Sequence, residues 1–327
     1  MTSNAEVSFC VPAYNASANI ERCLRGVLAQ RVPSREILVV DNCSTDDTVE
    51  RARTILRDVP EARILINESN LGRVENWNRC LELSAGSYIK FAFTNDVLLP
   101  GGTQMLLSRA RERPEVVMVC SRRHKVEGVA AVQKPVPRNP PVEIFDSGLA
   151  LRQLSRYGNN TGSLNGILIQ GAAVQRHGLR FRPNIPYCAD FYFSIELAGC
   201  GSVAYIRANS YLFDSSAKNR YSRSGISRRT RYFQRRECVL LLSELLPKHG
   251  MERWLGFEIL HKSFARQCCI GGQSPLSRAD TLELFKDAGP YLTSAVKYQA
   301  REGFRPPKNT PEWNAIKAGR HRLPILS

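Results

Sequence analysis

The 327-residue chain has no run of 18 apolar residues, so no membrane-spanning helix is expected. Its beginning, Met1 to Glu6, is short and polar and has neither the basic nor the apolar region of a secretory signal; a cytosolic location is the expectation. The ten cysteines include no C-x-x-C pair. Most sit inside apolar runs (Cys10, Cys23, Cys80, Cys120, Cys200, Cys238), and the adjacent Cys268 and Cys269 cannot bridge to each other in ordinary geometry. Free buried thiols are expected, and zinc-ligand spacing is missing. The first β–α connection, Pro12 to Ser17, contains no glycine. The G-x-G-x-x-G device of dinucleotide-dependent oxidoreductases is therefore absent. There is no internal repeat and no low-complexity block.

What the chain does have is excess positive charge, +16 overall, and it is uneven. Residues 1–200 carry 24 Lys and Arg against 20 Asp and Glu, whereas residues 201–327 carry 22 against 10. The last third thus favours phosphate-rich partners, either an anionic membrane face or nucleic acid. With 43% hydrophobic residues the chain can build a substantial core.

The first 121 residues alternate strand and helix patterns. Strands are expected at Ser8 to Val11, Ile37 to Val40, Arg63 to Ile66, Tyr88 to Phe93 and Val116 to Ser121. Helices are expected at Ile20 to Gln30, Thr45 to Leu56 with Ser44 as its N-cap, Val74 to Leu83 and Thr103 to Arg113. This alternation with short loops predicts an α/β fold with a doubly wound, mostly parallel sheet. Gln133 to Val142, with four prolines, reads as an exposed connector. Phe191 to Ala198, Arg228 to Leu246 and Trp254 to Cys268 read as helical, and a basic tail follows Arg301.

Chemistry concentrates where the early strands end. The first runs into Pro12-Ala13-Tyr14-Asn15 and the second into Asp41-Asn42-Cys43-Ser44. Loops at the carboxyl edge of a parallel sheet form a ligand crevice. A carboxylate at Asp41 can accept the imide N–H of a base such as uracil, and Pro12 and Tyr14 can wall that base. Alone, Asp41 reads better as a turn or capping residue; together with Pro12 to Asn15 it points to a nucleotide. Next comes Asn70-Leu71-Gly72-Arg73, where Gly72 permits close backbone approach, Arg73 offers a diphosphate a planar fork, and Asn78 on the following helix can brace the loop. The fourth strand leads into Thr94-Asn95-Asp96, where Asp96, helped by Asn95, is placed to hold Mg²⁺ or Mn²⁺ against the diphosphate.

In this order the segments VSFCVPAYN, ILVVDNCSTDDT, NLGRVENWNRCLELSAGSYIKFAFTNDVLLP and, more weakly, NIPYCADFYFSIELAGCG resemble the family 2 inverting glycosyltransferases of GT-A fold. The similarity is strong over about residues 7–121 and looser to about 215. The resemblance implies that Pro12, Tyr14 and Asp41 contact the donor's base, that Asn70, Gly72 and Asn78 form a second nucleotide-contacting stretch, that Asp96 lies in the metal motif, and that Asp190 is the catalytic base. Two departures accompany it. Phe93 and Asn95 stand where that motif usually carries acids, and Ala189-Asp190 replaces the common Glu-Asp. A late histidine that completes the metal site in some relatives has no clear match around Phe213 to Arg220. On residue chemistry alone Asp190 reads as a helix cap, with Glu196, expected to face solvent, held in reserve.

The expected organisation is a glycosyltransferase domain over 1–220, with a donor half at 1–121 and an acceptor half at 122–220, followed by a basic helical extension at 221–327. The expected reaction moves a sugar from a nucleotide sugar, UDP-linked foremost, to a hydroxyl of a glycan or glycolipid in cell-surface polysaccharide biosynthesis. Seven arginines lie between Arg220 and Arg236 with three aromatics among them. They read first as a solvated helix face and second as a peripheral membrane contact; nucleic-acid binding comes last. A non-catalytic nucleotide-sugar binder is the rival reading.

Overall fold

The computed structural model describes residues 5–126, 136, 137, 139–157, 159, 161–214 and 228–251. The helix expected at Trp254 to Cys268, the basic tail, the Cys268-Cys269 pair and much of the proline-rich connector lie outside the described residues.

The first half follows the sequence pattern closely. Strands β1 (Val7–Ala13), β2 (Arg35–Asp41), β3 (Ala62–Ile66) and β4 (Tyr88–Phe91) alternate with helices α1 (Ile20–Leu28), α2 (Thr48–Leu56) and α3 (Arg73–Leu83). All pairing among these strands is parallel, in the spatial order β3-β2-β1-β4. The chain therefore leaves β1 on one side towards β2 and β3, then returns to its other side at β4. That reversal places the carboxyl ends of β1, β2 and β4 on one edge, around a switch point.

After β4 the sheet becomes mixed. It gains β5 (Asp96–Leu98), β6 (Val116–Val126), β7 (Val142–Phe145), β8 (Ile167–Gln170) and β9 (Ser202–Asp214), among helices α4 (Gly102–Glu112), α5 (Ser147–Tyr157), α6 (Gly171–Arg176), α7 (Ala189–Ala198) and α8 (Arg228–Leu245). The order continues β4-β8-β6-β9-β5, with β7 added on β9. β8 and β5 pair antiparallel with their neighbours, while β6 and β9 run parallel.

Strand alternation divides the core in two. Phe9, Val11, Ile37 and Val39 face a layer built with Leu24 of α1, Ala52 of α2 and Leu106 of α4. Cys10, Leu38, Val40 and Phe91 face the opposite layer, with Trp77 of α3, Leu151 of α5, Phe193 of α7 and Leu242 of α8. Helices on both faces of a central sheet are what near-continuous apolar strands require.

Three local expectations are corrected. Helix α2 starts at Thr48, with no side-chain cap, and Ser44 instead bonds Asp41. The strand expected to reach Phe93 ends at Phe91, and Asp96 opens a separate strand. Glu196 does not face solvent; it pairs with Arg182 at 2.8 Å.

Candidate active site

The loops after β1 and β2 are stitched together at the carboxyl edge. Asn15 sits in the left-handed region at φ 43°, and its backbone N–H donates to Ser44 Oγ at 2.9 Å. Its side-chain oxygen accepts from the Thr45 N–H at 2.9 Å. Pro12 falls in β1 beyond the last residue that β4 pairs, so its missing N–H breaks no ladder there. Tyr14, in the loop after β1, has 49% of its surface exposed. Asp41 is buried, and both its carboxylate oxygens accept from Ser44, the backbone N–H at 2.8 Å and the hydroxyl at 2.5 Å. The turn-residue reading of Asp41 is thus realised. Each carboxylate oxygen keeps a second lone pair for a ligand donor.

A lattice of asparagines shapes the loop between β3 and α3. Asn42 donates to Asn70 at 2.7 Å, and its oxygen accepts from Asn67 at 3.0 Å and from the Leu71 N–H at 2.9 Å. Asn67 also donates to Asn76 at 2.9 Å, and Asn76 donates to the Val40 carbonyl at 3.0 Å. Asn42, Asn67 and Asn76 are positioning residues that carried no assignment in sequence. Asn78 does not brace this loop: its amide exchanges hydrogen bonds with the Phe181 backbone at 2.8 and 3.0 Å, deep in the protein. Gly72 ends the loop at φ 80°, ψ 161°, a conformation that favours glycine, with open space where a Cβ would stand.

Arg73 opens α3. Its guanidinium lies 4.6 Å from the Trp77 ring centre and donates to the Pro186 carbonyl, and Trp77 stacks on Phe93 at 5.0 Å. Arg73 also acts electrostatically on Asp190, in the first turn of α7. The loop before α3 and the start of α7 therefore meet, although 117 positions apart in sequence (190 less 73). Burial raises the Asp190 pKa; the Phe191 N–H at 2.8 Å, the Arg73 charge and Asn159 act against the rise. Asp190 caps only its own neighbour, since the N-cap position belongs to Cys188. The start of α7 is also held by α8, whose Gln234 accepts from the Tyr187 N–H at 2.6 Å.

The motif expected to hold a metal offers one acid, Asp96, and that acid is already engaged. Asp96 is 4% exposed and its carboxylate accepts from Asn165 at 2.6 Å, with buried Cys23 and Tyr211 within its field. It fastens β5 to the Leu164–Gly166 turn through this bond. Phe93, Thr94 and Asn95, the half-buried residues of the turn between β4 and β5, include no acid. The Asn95 side-chain oxygen accepts from Asn19 at 3.1 Å, and its backbone carbonyl from Arg22 at 3.4 Å. Among the described residues no three His, Cys, Asp or Glu side chains form a metal cluster. Hard divalent ions take anionic and carbonyl oxygens, not a phenyl ring.

A doubly wound sheet with this crevice at its switch point defines a GT-A glycosyltransferase fold. The chain belongs to glycosyl transferase family 2, whose model matches residues 8–173. Curated relatives include the uncharacterized protein MT1568 of Mycobacterium tuberculosis, 48% identical over 112 residues that span 34% of each chain. Another is a GalNAc(5)-diNAcBac-PP-undecaprenol beta-1,3-glucosyltransferase of Campylobacter jejuni, 27% identical over 108 residues, 33% of this chain and 35% of that one. The match spans about a third of the length of these relatives. Among solved structures, TarS of Staphylococcus aureus superposes with a TM-score of 0.63 at 17% identity, over 88% of this chain and 80% of that one. TarS has also been solved with UDP-GlcNAc. A mannosyltransferase of Pyrobaculum calidifontis, solved with GDP-Man and Mn²⁺, superposes at 0.50 with 14% identity, over 90% and 84% of the two chains.

Proposed function

We propose that the protein is an inverting glycosyltransferase that takes a nucleotide diphosphate sugar, UDP-linked foremost, and glycosylates a hydroxyl of a glycan or lipid-linked glycan in cell-surface polysaccharide assembly. The observation that carries this reading is the meeting of Asp190 with Arg73 beside the loop that Gly72 ends. Arg73 reaches the Pro186 carbonyl just before α7, and its charge opposes the rise that burial imposes on the Asp190 pKa. In this reading Pro12, Tyr14 and Asp41 receive the base, Asn15 and Asn70 hold the rim, and Gly72 and Arg73 meet the diphosphate. TarS, solved with UDP-GlcNAc, supports the choice of donor, and the lipid-linked substrate in the name of the Campylobacter enzyme supports the class of acceptor.

The chemistry needs one proton acceptor. Asp190 takes the proton of the acceptor hydroxyl as its oxygen attacks the anomeric carbon. The attack comes from the face opposite the diphosphate, the bond from carbon to phosphate oxygen breaks, and the nucleoside diphosphate leaves with inverted sugar stereochemistry in the product. The 1–220 catalytic unit and a peripheral membrane role for the basic C-terminal part belong to the same proposal. Among the described residues no helix is long and apolar enough to cross a membrane.

The test is a panel of UDP-, GDP- and dTDP-sugars scored by thermal stabilisation, followed by transfer to candidate acceptors with native protein and Asp190→Asn. Stabilisation by one donor, with transfer lost in the variant, is expected. Stabilisation without transfer for any acceptor favours the non-catalytic binder, and no stabilisation by any donor overturns the reading.

A further inference from the structure

We propose that the crevice binds the donor diphosphate without a divalent cation, its charge met by the guanidinium groups of Arg73 and Arg22. The proposal rests on the nucleotide-sugar reading of the crevice and adds how that site handles phosphate charge.

Three observations converge. The first is the replacement of ligand chemistry by stacking. Phe93 lies against Trp77 with rings 5.0 Å apart and 27° from coplanar, and the Arg73 guanidinium sits over the same indole at 4.6 Å. The position that would have offered an acid to an ion instead extends the aromatic ledge on which a cation rests. Stacking on an indole orients a guanidinium without consuming its in-plane N–H groups, the ones that meet phosphate oxygens.

The second observation lies at the other end of the same turn. Arg22, on α1, donates to the Asn95 carbonyl at 3.4 Å and approaches Asp214 at 3.9 Å, with 28% of its side chain exposed. A second fixed positive charge thus stands beside Asn95. Arg73 faces Asp190 and Arg22 faces Asp214, so each guanidinium has a carboxylate near it that holds it in place before ligand arrives. A metal at Asn95 would instead sit beside the Arg22 cation, with a neutral amide oxygen where an acid would compensate its charge, an arrangement disfavoured by charge.

The third comes from composition. The stretch that follows β9, residues 215–227, contains Lys218, Arg220 and Arg223 and no Asp, Glu, His or Cys. By composition it adds cations and no side chain of the kinds that usually anchor a catalytic ion. Phosphate can be held by arginine alone through charge-assisted, bidentate hydrogen bonds.

The experiment is calorimetric titration of the full chain with UDP, GDP and dTDP, each in EDTA and in Mn²⁺. The expected result is binding of at least one nucleotide in EDTA with an affinity within threefold of that in Mn²⁺. Arg73→Gln and Arg22→Gln should each weaken binding tenfold or more in EDTA, with Arg73→Lys and Arg22→Lys intermediate; thermal melts of all four check folding. Tightening by Mn²⁺ beyond threefold, or native affinity in both glutamine variants, overturns metal independence and leaves the donor site standing. No binding of any nucleotide under either condition overturns the donor site as well.

Discussion

The Arg73 guanidinium acts on Asp190 across the fold and lowers a carboxyl pKa that burial has raised. One comes from the first turn of α3 and the other from the first turn of α7. This electrostatic link therefore joins the loop proposed for the donor with the residue proposed for the acceptor proton. Removing the cation leaves burial less opposed, so the Asp190 pKa rises further. Arg73→Gln should move the acid limb of the kcat pH profile to higher pH, and the profile of Arg73→Lys should stay near native. An unchanged limb in the glutamine variant would show that the two groups do not communicate.

Asp190 itself should separate binding from chemistry. Replacing a general base costs about 10²–10⁴ in rate. Asp190→Asn should lose turnover by that order while nucleotide affinity stays within a few-fold of native. The folded-state pKa of Asp190 is raised, so ionisation at neutral pH works against folding. The native protein gains stability from this group as pH falls through that pKa and loses it as pH rises, whereas the asparagine variant has no such term. At neutral pH Asp190→Asn should therefore melt no lower than native, and denaturation curves at two pH values read the difference. A variant that melts several degrees lower would mean that the carboxylate is structural.

Gly72 tests the loop without touching a charge. Its φ of 80° and ψ of 161° lie where an L side chain is strained, although nothing stands within 4 Å of a Cβ. The cost of Gly72→Ala is therefore conformational, about 1–3 kcal/mol. Part of it should appear as lower stability and part as weaker nucleotide binding as the loop relaxes, with kcat at saturating donor reduced less. Chemical denaturation and calorimetry on the same variant measure the two shares. A variant with native affinity would remove the loop from the donor site.

The parallel half of the sheet was legible because β1, β2 and β4 are compact apolar runs ended by polar loops. Of the second half of the sheet only β6 was legible. β9 spans 13 residues with polar side chains interspersed, and its partners β5, β6 and β7 come from three separate stretches, so no local period marks it. At the site, Arg73 and Asp190 were legible as separate candidates, but their proximity depends on long-range packing. An acid after a strand looks the same in sequence whatever it bonds, so the tie from Asp96 to Asn165 had no signal there. Asn42 and Asn76 stood in view within quoted motifs; only the three-dimensional lattice reveals them as the frame of the loop. Lys90, in the middle of the apolar run Tyr88 to Phe91, carried no assignment in sequence and forms a buried polar centre.

That centre gives the last prediction. Lys90 is fully buried, and its ammonium donates to the carbonyls of Asn165 and Ile167 on the turn that leads into β8. Burial pushes its pKa down to about 7 from 10.5. Between those values the unfolded chain binds a proton that the folded one releases, so folding stability should rise with pH across that window, by about 1.4 kcal/mol per unit at most. Below about 7 both states are protonated and the term is constant. Lys90→Met keeps the length of the side chain, removes the titration and leaves the Asn165 carbonyl without its donor. It should flatten the alkaline rise and lower stability at high pH, where the native lysine is neutral and still hydrogen-bonded, by about 1–3 kcal/mol. At neutral pH the lost hydrogen bond and the relieved charge burial oppose each other, so the variant should lie closer to native there. Urea denaturation of both proteins at pH 7 and 9.5 reads the sign directly: equal slopes against pH would place the titration elsewhere in the molecule.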